Sequence, residues 1–153
     1  LVFARPEKGS EPRPDNLYLT QRFTMKFTIE HRDNVAIVTS TVEKLDALHA
    51  PDLKAELVSL GKSGHLNLVL DLTESRYCDS SGLSAVLVGN RLCRDENGTF
   101  VLCGLQPTVE KLVQISQLDR VLNIVPTVNE AVDFVYMEAT EKEVGPKDDS
   151  SDS

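Results

Sequence analysis

The sequence predicts a single α/β domain whose mixed, mostly parallel sheet of about five strands opens on an antiparallel hairpin and carries about four helices. Two short strand-like runs flank the pair Asp33-Asn34, which is typical of a tight turn between antiparallel strands. From Pro51 onward, helical patterns alternate with strand patterns, as they do where helical crossovers join parallel strands. A length of 153 residues leaves room for one such domain with its own hydrophobic core.

Three segments of the chain differ in composition. Residues 1–24 hold three prolines and no sustained apolar period, which predicts a flexible leader. Residues 25–137 carry the regular pattern and are expected to form the domain. Residues 138–153 hold six acids and two lysines and are rich in serine, which predicts an acidic disordered tail.

The first half of the domain is predicted to be a hairpin followed by a helix. Lys26–His31 and Val35–Thr39 have the apolar patterns of its two strands. The connection Val42–Leu48 then leads to a helix with Pro51 in its first turn, where proline is well tolerated. The helix closes at residues 61–64, and its apolar stripe consists of Leu53, Leu57 and Leu60.

The second half alternates three strands with three helices. The strands are predicted at Leu66–Leu72, Thr99–Cys103 and Val121–Val125. Asn97-Gly98 ends the helix between the first two of these strands, Pro107 begins the next helix, and Thr127 caps the last one. Helices can cover one face of such a sheet or both, and periodicity does not decide between these arrangements.

A cluster of polar residues, Asp79-Ser80-Ser81-Gly82, stands where the chain leaves the first of these strands and enters a helix. Asp79 or Ser80 is expected at the N-cap, where a side-chain oxygen accepts a hydrogen bond from a backbone N–H. Ser81 then falls in the first turn, where free N–H groups and the helix dipole favour a phosphate. An ordinary helix cap explains the same residues, and the motif alone does not decide between the two interpretations.

The charge and hydropathy of the chain argue against two classes of partner. A net charge of −8 offers no basic stripe with which to bind nucleic acid. The longest uncharged runs are too short and too interrupted to cross a bilayer, so we expect no membrane partner. A mildly acidic domain favours proteins with basic faces instead.

The three cysteines, Cys78, Cys93 and Cys103, are odd in number and form no C-x-x-C pair. This pattern predicts reduced thiols without a metal site, as in a cytoplasmic protein, and we see no secretion signal at the start of the chain. A redox role for Cys78 beside Asp79 is the alternative, but a buried thiol at a strand end is the favoured interpretation.

Two stretches, Leu45–Leu53 and Tyr77–Leu83, together with the order of the elements, resemble the STAS domain. That family is named for sulfate transporters and anti-sigma factor antagonists, and the resemblance covers about residues 25–137. The short chain looks like the stand-alone bacterial antagonists and not like the terminal domain of a transporter.

The resemblance implies a binding module that is switched by phosphorylation. In such antagonists the second serine of Asp-Ser-Ser-Gly, here Ser81, accepts a phosphate from an anti-sigma factor that is also a Ser kinase. The unmodified form binds that kinase and makes it release its sigma factor, and a PP2C-type phosphatase resets the switch. The residues expected beside the phosphoacceptor, in the partner interface, are Asp46, Asp79, Ser80, Gly82 and Leu83.

Two positions depart from the family pattern. Cys78 stands where we expect Met, Ile or Val, which changes little because a buried cysteine behaves as a small hydrophobe. Ser84 stands where many members carry glycine. It adds a hydroxyl one turn beyond Ser81 and is therefore a second candidate for the modification.

Two other kinds of function are weighed against the antagonist. An enzyme is disfavoured because the chain has neither a Gly-x-Ser-x-Gly elbow nor a phosphate-cradling glycine loop, so we expect no catalysis and no cofactor. No catalytic pattern orients the three histidines, which are His31, His49 and His65. STAS proteins also serve as subunits of lipid-transporting ABC systems or as stress-signalling scaffolds. The former often have threonine at the position of Ser81, so the serine favours the antagonists.

Overall fold

The structure, a computed structural model, describes the backbone of residues 26–152 and the side chains of residues 26–141. The leader predicted for residues 1–24 lies outside the described residues. The strands are β1 (Phe27–Arg32), β2 (Val35–Ser40), β3 (Lys44–Leu45), β4 (Asn67–Asp71), β5 (Tyr77–Cys78), β6 (Thr99–Cys103) and β7 (Asn123–Val125). The helices are α1 (Ala50–Lys62), α2 (Ser80–Asp95), α3 (Pro107–Ile115) and α4 (Val128–Asp152), with a 3-10 helix at Leu118–Arg120.

Five strands form the main sheet in the order β1-β2-β4-β6-β7. β1 and β2 pair antiparallel, with Phe27 opposite Ser40, and the other strand pairs of this sheet are parallel. The predicted hairpin and the predicted mostly parallel sheet are therefore confirmed. Asp33 turns the chain between β1 and β2 with a φ of 57°, a left-handed conformation that aspartate adopts more readily than most residues.

Helices cover both faces of the sheet, an arrangement that periodicity alone could not distinguish from helices on one face. α1, α2 and α3 pack on one face, where the larger core contains Leu57, Leu70, Val86, Phe100 and Val113. α4 packs on the opposite face, where the smaller core contains Ile37, Val69, Val101, Val132 and Val135. Both faces of β4 and β6 are therefore apolar, which explains the continuous apolar runs in their sequences.

A second, two-stranded parallel sheet lies beside the main one and was not predicted. It joins β3 to β5 through the facing pairs Lys44–Tyr77 and Leu45–Cys78. The N–H of Tyr77 also donates to the carbonyl oxygen of Glu43 at 3.1 Å. Each strand has only two residues, too few for an alternating pattern to appear, so β3 was predicted as part of a connection and Cys78 only as the end of a strand.

The end of α2 confirms the stop predicted at Asn97-Gly98. Asn97 has a φ of 61°, and its N–H donates to the carbonyl oxygen of Arg94 at 3.0 Å. The N–H of Gly98 donates to the carbonyl oxygen of Cys93 at 2.6 Å, which completes a Schellman motif. A Cβ on Gly98 would stand 1.9 Å from the carbonyl oxygen of Leu66, so only glycine fits between the end of α2 and β4.

The last strand is shorter than predicted. β7 begins at Asn123 and not at Val121, because the 3-10 helix Leu118–Arg120 takes up the chain just before it. Val121 is 47% exposed, whereas a residue within a covered strand would be buried. The apolar run therefore predicted a strand that was two residues too long, because Val121 and Leu122 follow the 3-10 helix and lie outside β7.

α4 begins where the sequence predicted and ends later. The hydroxyl of Thr127 accepts a hydrogen bond from the N–H of Glu130 at 3.2 Å, which confirms Thr127 as the cap. The helix continues through Asp152, so residues 138–152 extend α4 where the sequence predicted a disordered tail. Glutamate, alanine and lysine, frequent just after Met137, favour helix, whereas the prediction of disorder rested on the acidic charge and the serines of this segment. No helix in the described part of the chain is long and apolar enough to cross a bilayer.

Candidate functional site

Asp79 is the N-cap of α2, one of the two residues that the sequence allowed. Its backbone is extended (φ −112°, ψ −172°), and its Oδ1 accepts a hydrogen bond from the N–H of Gly82 at 3.1 Å. Its carbonyl oxygen accepts from the N–H of Leu83 at 3.0 Å. Ser80 and Ser81 are therefore the first and second residues of the helix, whose N–H groups precede the helical hydrogen-bond ladder.

Three serines lie in the first turns of α2 and differ in exposure. Ser80 and Ser84 are exposed, and Ser81 is half-buried. Part of the Ser81 side chain therefore remains in contact with solvent, within reach of another protein. A partner that contacts Ser81 also meets the exposed residues just before it, Asp79 and Ser80.

The pairing of β3 with β5 brings Asp46 next to Asp79. Each aspartate directly follows its strand, and the N–H of Asp79 donates to the carbonyl oxygen of Leu45 at 3.3 Å. The Oδ1 of Asp46 accepts from the N–H of Leu48 at 3.1 Å, and its carbonyl oxygen accepts from the N–H of His49 at 3.0 Å. Backbone N–H groups therefore hold both carboxylates at the edge where α2 begins.

Gly82 and Leu83, which follow Ser81 in α2, are buried. A Cβ on Gly82 would stand 2.3 Å from the carbonyl oxygen of Leu45 and 2.7 Å from the sulfur of Cys78, so glycine lets α2 approach β3 and β5 closely. Leu83 is 6% exposed and belongs to the larger core. Both residues were expected in the partner interface, with packing against the sheet as the alternative for Gly82. Their burial lets them support the turn that carries Ser81, and their contact with a partner stays a prediction.

Two exposed apolar side chains near the site were not predicted from the sequence. Leu48, in the loop after β3, is 74% exposed. Tyr77, on β5, is 48% exposed. Two-residue strands give no period from which to read exposure. The one sequence feature that pointed to Leu48 and Tyr77 was their position in the two stretches that carry the family resemblance.

A pair of buried hydroxyls ties the small sheet to the main one. Ser75 is fully buried, and its hydroxyl donates to the carbonyl oxygen of Val42 at 2.7 Å. The oxygen of Ser75 also shares a 2.8 Å hydrogen bond with the hydroxyl of Ser40, on β2. Removing one partner would leave a buried hydroxyl unpaired, which costs about 1–3 kcal/mol. This pair therefore fixes the strands that lead to Asp46 and Asp79.

The Cys78 thiol lies beside the cap of α2. Burial, and to a lesser extent the negative charge of Asp79, raises the pKa of this thiol from its ordinary value of 9.0 to about 12. Its sulfur donates to the carbonyl oxygen of Asp79 at 3.4 Å. Burial and the charge of Asp71 likewise raise the pKa of Cys103 to about 12. A thiol kept neutral is a poor nucleophile, which favours a structural role for Cys78 over redox sensing.

We expect the thiols of Cys78 and Cys103 to react slowly with iodoacetamide in the folded protein. A rise in pKa from 9.0 to about 12 lowers the thiolate fraction at pH 8 by about three orders of magnitude. Mass spectrometry of each labelled cysteine, in the native and the urea-unfolded chain, measures the difference. Labelling of native Cys78 at the rate of the unfolded chain would contradict this expectation.

The same raised pKa values make stability depend on pH in the alkaline range. Because the folded state favours the protonated thiols, their contribution is fully present below pH 9.0 and is lost as the pH rises to about 12. The free energy of unfolding is therefore expected to fall over that interval.

The histidines form no catalytic arrangement in the described part of the chain. The rings of His31 and His65 lie 4.8 Å apart, and the Nδ1 of His65 is 3.3 Å from the carbonyl oxygen of Leu60. His49 is the residue before α1, and its buried Nδ1 has no hydrogen-bond partner among the described residues. No group of three or more His, Cys, Asp or Glu side chains that could hold a metal ion occurs in that same part of the chain.

Comparisons with known proteins identify similar sequences and folds. The family model described as STAS domain matches residues 26–131. BtrV of Bordetella bronchiseptica, assigned as an anti-sigma factor antagonist, is 32% identical over 105 residues, which are 69% of this chain and 87% of the relative. An anti-sigma-B factor antagonist of Listeria monocytogenes is 30% identical over 96 residues, 63% of this chain and 84% of the relative. A crystal structure of a Thermotoga maritima protein assigned as an anti-sigma factor antagonist has a TM-score of 0.69 at 24% identity, and the match covers 76% of this chain and 98% of that one.

Proposed function

This chain belongs to the STAS domain family, and we propose that it is an anti-sigma factor antagonist whose binding is switched by phosphorylation of Ser81. The observation that carries the proposal is the position of Ser81, half-buried at the second residue of α2. Asp79 precedes Ser81 by two residues, Asp46 follows the paired strand β3, and backbone N–H groups hold both carboxylates in place. The relatives named as anti-sigma factor antagonists support the role.

In the proposed cycle, an anti-sigma factor with Ser kinase activity binds the unmodified chain and releases its sigma factor. The kinase then transfers the γ-phosphoryl group of ATP to Ser81. A bond forms between the Ser81 oxygen and phosphorus, the bond from phosphorus to the bridging oxygen of ATP breaks, and ADP leaves. The hydroxyl proton passes to a base on the kinase. A PP2C-type phosphatase restores the hydroxyl by hydrolysis and releases inorganic phosphate.

The phosphate changes binding and leaves the fold intact. It adds about −1.5 to −2 charge at pH 7 beside Asp46 and Asp79. Free N–H groups and the helix dipole at the start of α2 compensate part of this charge within the chain. A partner that covers Ser81 must instead remove water from the phosphate and from two carboxylates, so its affinity falls.

We propose that this cycle runs in the cytoplasm and that the kinase and the phosphatase, not this chain, perform the chemistry. His31 and His65 contact each other, and His49 lies at the start of α1. This arrangement supports a role for Ser81 as the acceptor of a phosphate rather than as a nucleophile of its own.

The test is an intact-mass measurement after the purified chain is mixed with its candidate kinase and ATP. We expect one added phosphate, which peptide fragmentation maps to Ser81. Ser81→Ala is expected to abolish the mass shift, whereas Ser80→Ala and Ser84→Ala retain it. A phosphate on Ser80 or Ser84 of the parent chain would contradict the assignment to Ser81. A parent chain that stays unmodified would contradict the proposed function itself.

A further inference from the structure

Leu48 is an apolar side chain that the fold both exposes and holds still. It is 74% exposed, more than any other large hydrophobic residue in the described part of the chain. Asp46 accepts hydrogen bonds from the N–H groups of Leu48, His49 and Ala50 at 3.1, 3.0 and 2.7 Å, and these bonds fix the loop. A side chain on a fixed loop binds without the entropy loss of ordering a mobile segment.

Tyr77 presents a second apolar surface on the outer side of the small sheet. Leu45 and Cys78 face Gly82 on the inner side of that sheet. Side chains alternate along a strand, so Lys44 and Tyr77, which pair with each other, face outward. Tyr77 is 48% exposed, with its ring available to a partner.

Both side chains belong to segments that lead to the start of α2, where Ser81 lies. Gly82 contacts Leu45, and Leu48 follows three residues later, at most about 11 Å along the chain. Tyr77 precedes Ser81 by four residues. A standard interface buries about 800 Å² on each partner, the area of a disc with a radius of about 16 Å. An interface of this size centred on Ser81 extends toward the loop that carries Leu48 and the strand that carries Tyr77.

The surroundings of these two side chains are acidic. Residues 43–49 and 73–81 together hold four acidic and two basic side chains, and all of these except Asp46 are exposed. A partner surface with an apolar pocket and basic groups around it matches this pattern.

We propose that Leu48 is the apolar anchor by which the Ser kinase recognises this chain, with Tyr77 at the edge of the contact. The proposal rests on the proposed function, because the occupant of this surface is the kinase that phosphorylates Ser81. Leu48 inserts into an apolar pocket of the kinase, and basic groups around that pocket meet the acidic rim. This contact holds the Ser81 hydroxyl at the bound ATP. Single buried anchors of this kind carry a large share of the binding energy in protein interfaces.

The test compares Leu48→Ser with Ile115→Ser in phosphorylation assays of the full chain with kinase and ATP. Ile115 is 69% exposed, but it ends α3, about 12 Å along that helix from its first residue. It therefore matches Leu48 in exposure and differs in position. We expect Leu48→Ser to lower kcat/KM by about tenfold or more, mainly through KM, and Ile115→Ser to change it by less than about twofold. Leu48→Met, which keeps the apolar surface, is expected to behave like the parent, and thermal melts verify that all variants fold.

The possible outcomes separate this inference from the proposed function. A parent chain that the kinase does not phosphorylate contradicts the proposed function. A parent that is phosphorylated, while Leu48→Ser reacts equally well, contradicts the anchor alone. An equal loss in Leu48→Ser and Ile115→Ser also contradicts the anchor, because recognition would then depend on apolar surface in general.

Discussion

Ser81→Asp is expected to weaken binding of the chain to its kinase by about two to three orders of magnitude, which corresponds to a loss of about 3–4 kcal/mol. The new carboxylate stands at the second residue of α2, two residues after Asp79 and at the edge where Asp46 follows β3. Hydrogen bonds from backbone N–H groups hold both of those carboxylates, so neither turns away from the added charge. An interface that covers this site must desolvate three negative charges together. Isothermal titration calorimetry with the purified kinase measures the change.

Two variants control for the removal of the hydroxyl and for the added charge. Ser81→Ala removes the hydroxyl without adding charge and is expected to keep the parent affinity. Asn129→Asp adds the same charge at the second residue after the Thr127 cap, on the opposite face of the sheet, and is expected to change the affinity by less than about twofold. Tight binding by Ser81→Asp would refute the electrostatic switch. An equal weakening by Asn129→Asp would assign the effect to net charge instead of location.

Gly82→Ala is expected to lower the free energy of unfolding by about 2 kcal/mol or more. The added Cβ would stand 2.3 Å from the carbonyl oxygen of Leu45 and 2.7 Å from the sulfur of Cys78. A backbone oxygen has little freedom to move, so the start of α2 must shift away from β3 and displace Ser81. Urea unfolding measures the stability, and the phosphorylation rate of the same variant reports the displacement.

Gly61→Ala is the matched control for this substitution. Gly61 also lies in a helix, but the nearest atom to its added Cβ is a methyl group of Leu92 at 3.9 Å, which is an ordinary contact. Alanine favours the helix over glycine, so we expect Gly61→Ala to raise the free energy of unfolding by up to about 1 kcal/mol. Opposite signs for the two variants would support the close approach at Gly82. A stabilising Gly82→Ala would contradict it.

The elements with long patterns or distinct end signals were predictable from the sequence. The hairpin around Asp33-Asn34 and the end of α2 at Asn97-Gly98 depend on local backbone chemistry, which neighbouring residues specify. The same holds for the caps Asp79 and Thr127, because each bonds an N–H three residues along the chain.

The features that were not predicted depend on contacts between distant parts of the chain. The hydrogen bond between Ser40 and Ser75 joins residues 35 positions apart, and no local pattern marks either serine. The small sheet has two residues in each strand, so its existence rests on tertiary packing. The exposure of Leu48 and Tyr77 follows from that sheet and could not be known before it.

One part of the candidate site was predictable from local sequence, and another part depends on contacts between distant parts of the chain. The position of Ser81 in the first turn of the helix follows from the sequence, which left the cap open between Asp79 and Ser80, and the structure selects Asp79. Only the family resemblance indicated that Asp46 lies near this helix start. The structure supplies the physical reason, since parallel strands end at the same edge and β3 is paired with β5.

α4 lies on the face of the sheet opposite α2, and this face takes no part in the proposed recognition. Asp133 is exposed on that helix, within the part of α4 that packs against the sheet. A biotin or a fluorophore attached there would leave the Ser81 surface open. The chain is thus suited to oriented immobilisation on a sensor chip, where capture and release of a kinase are followed in real time as phosphate is added and removed.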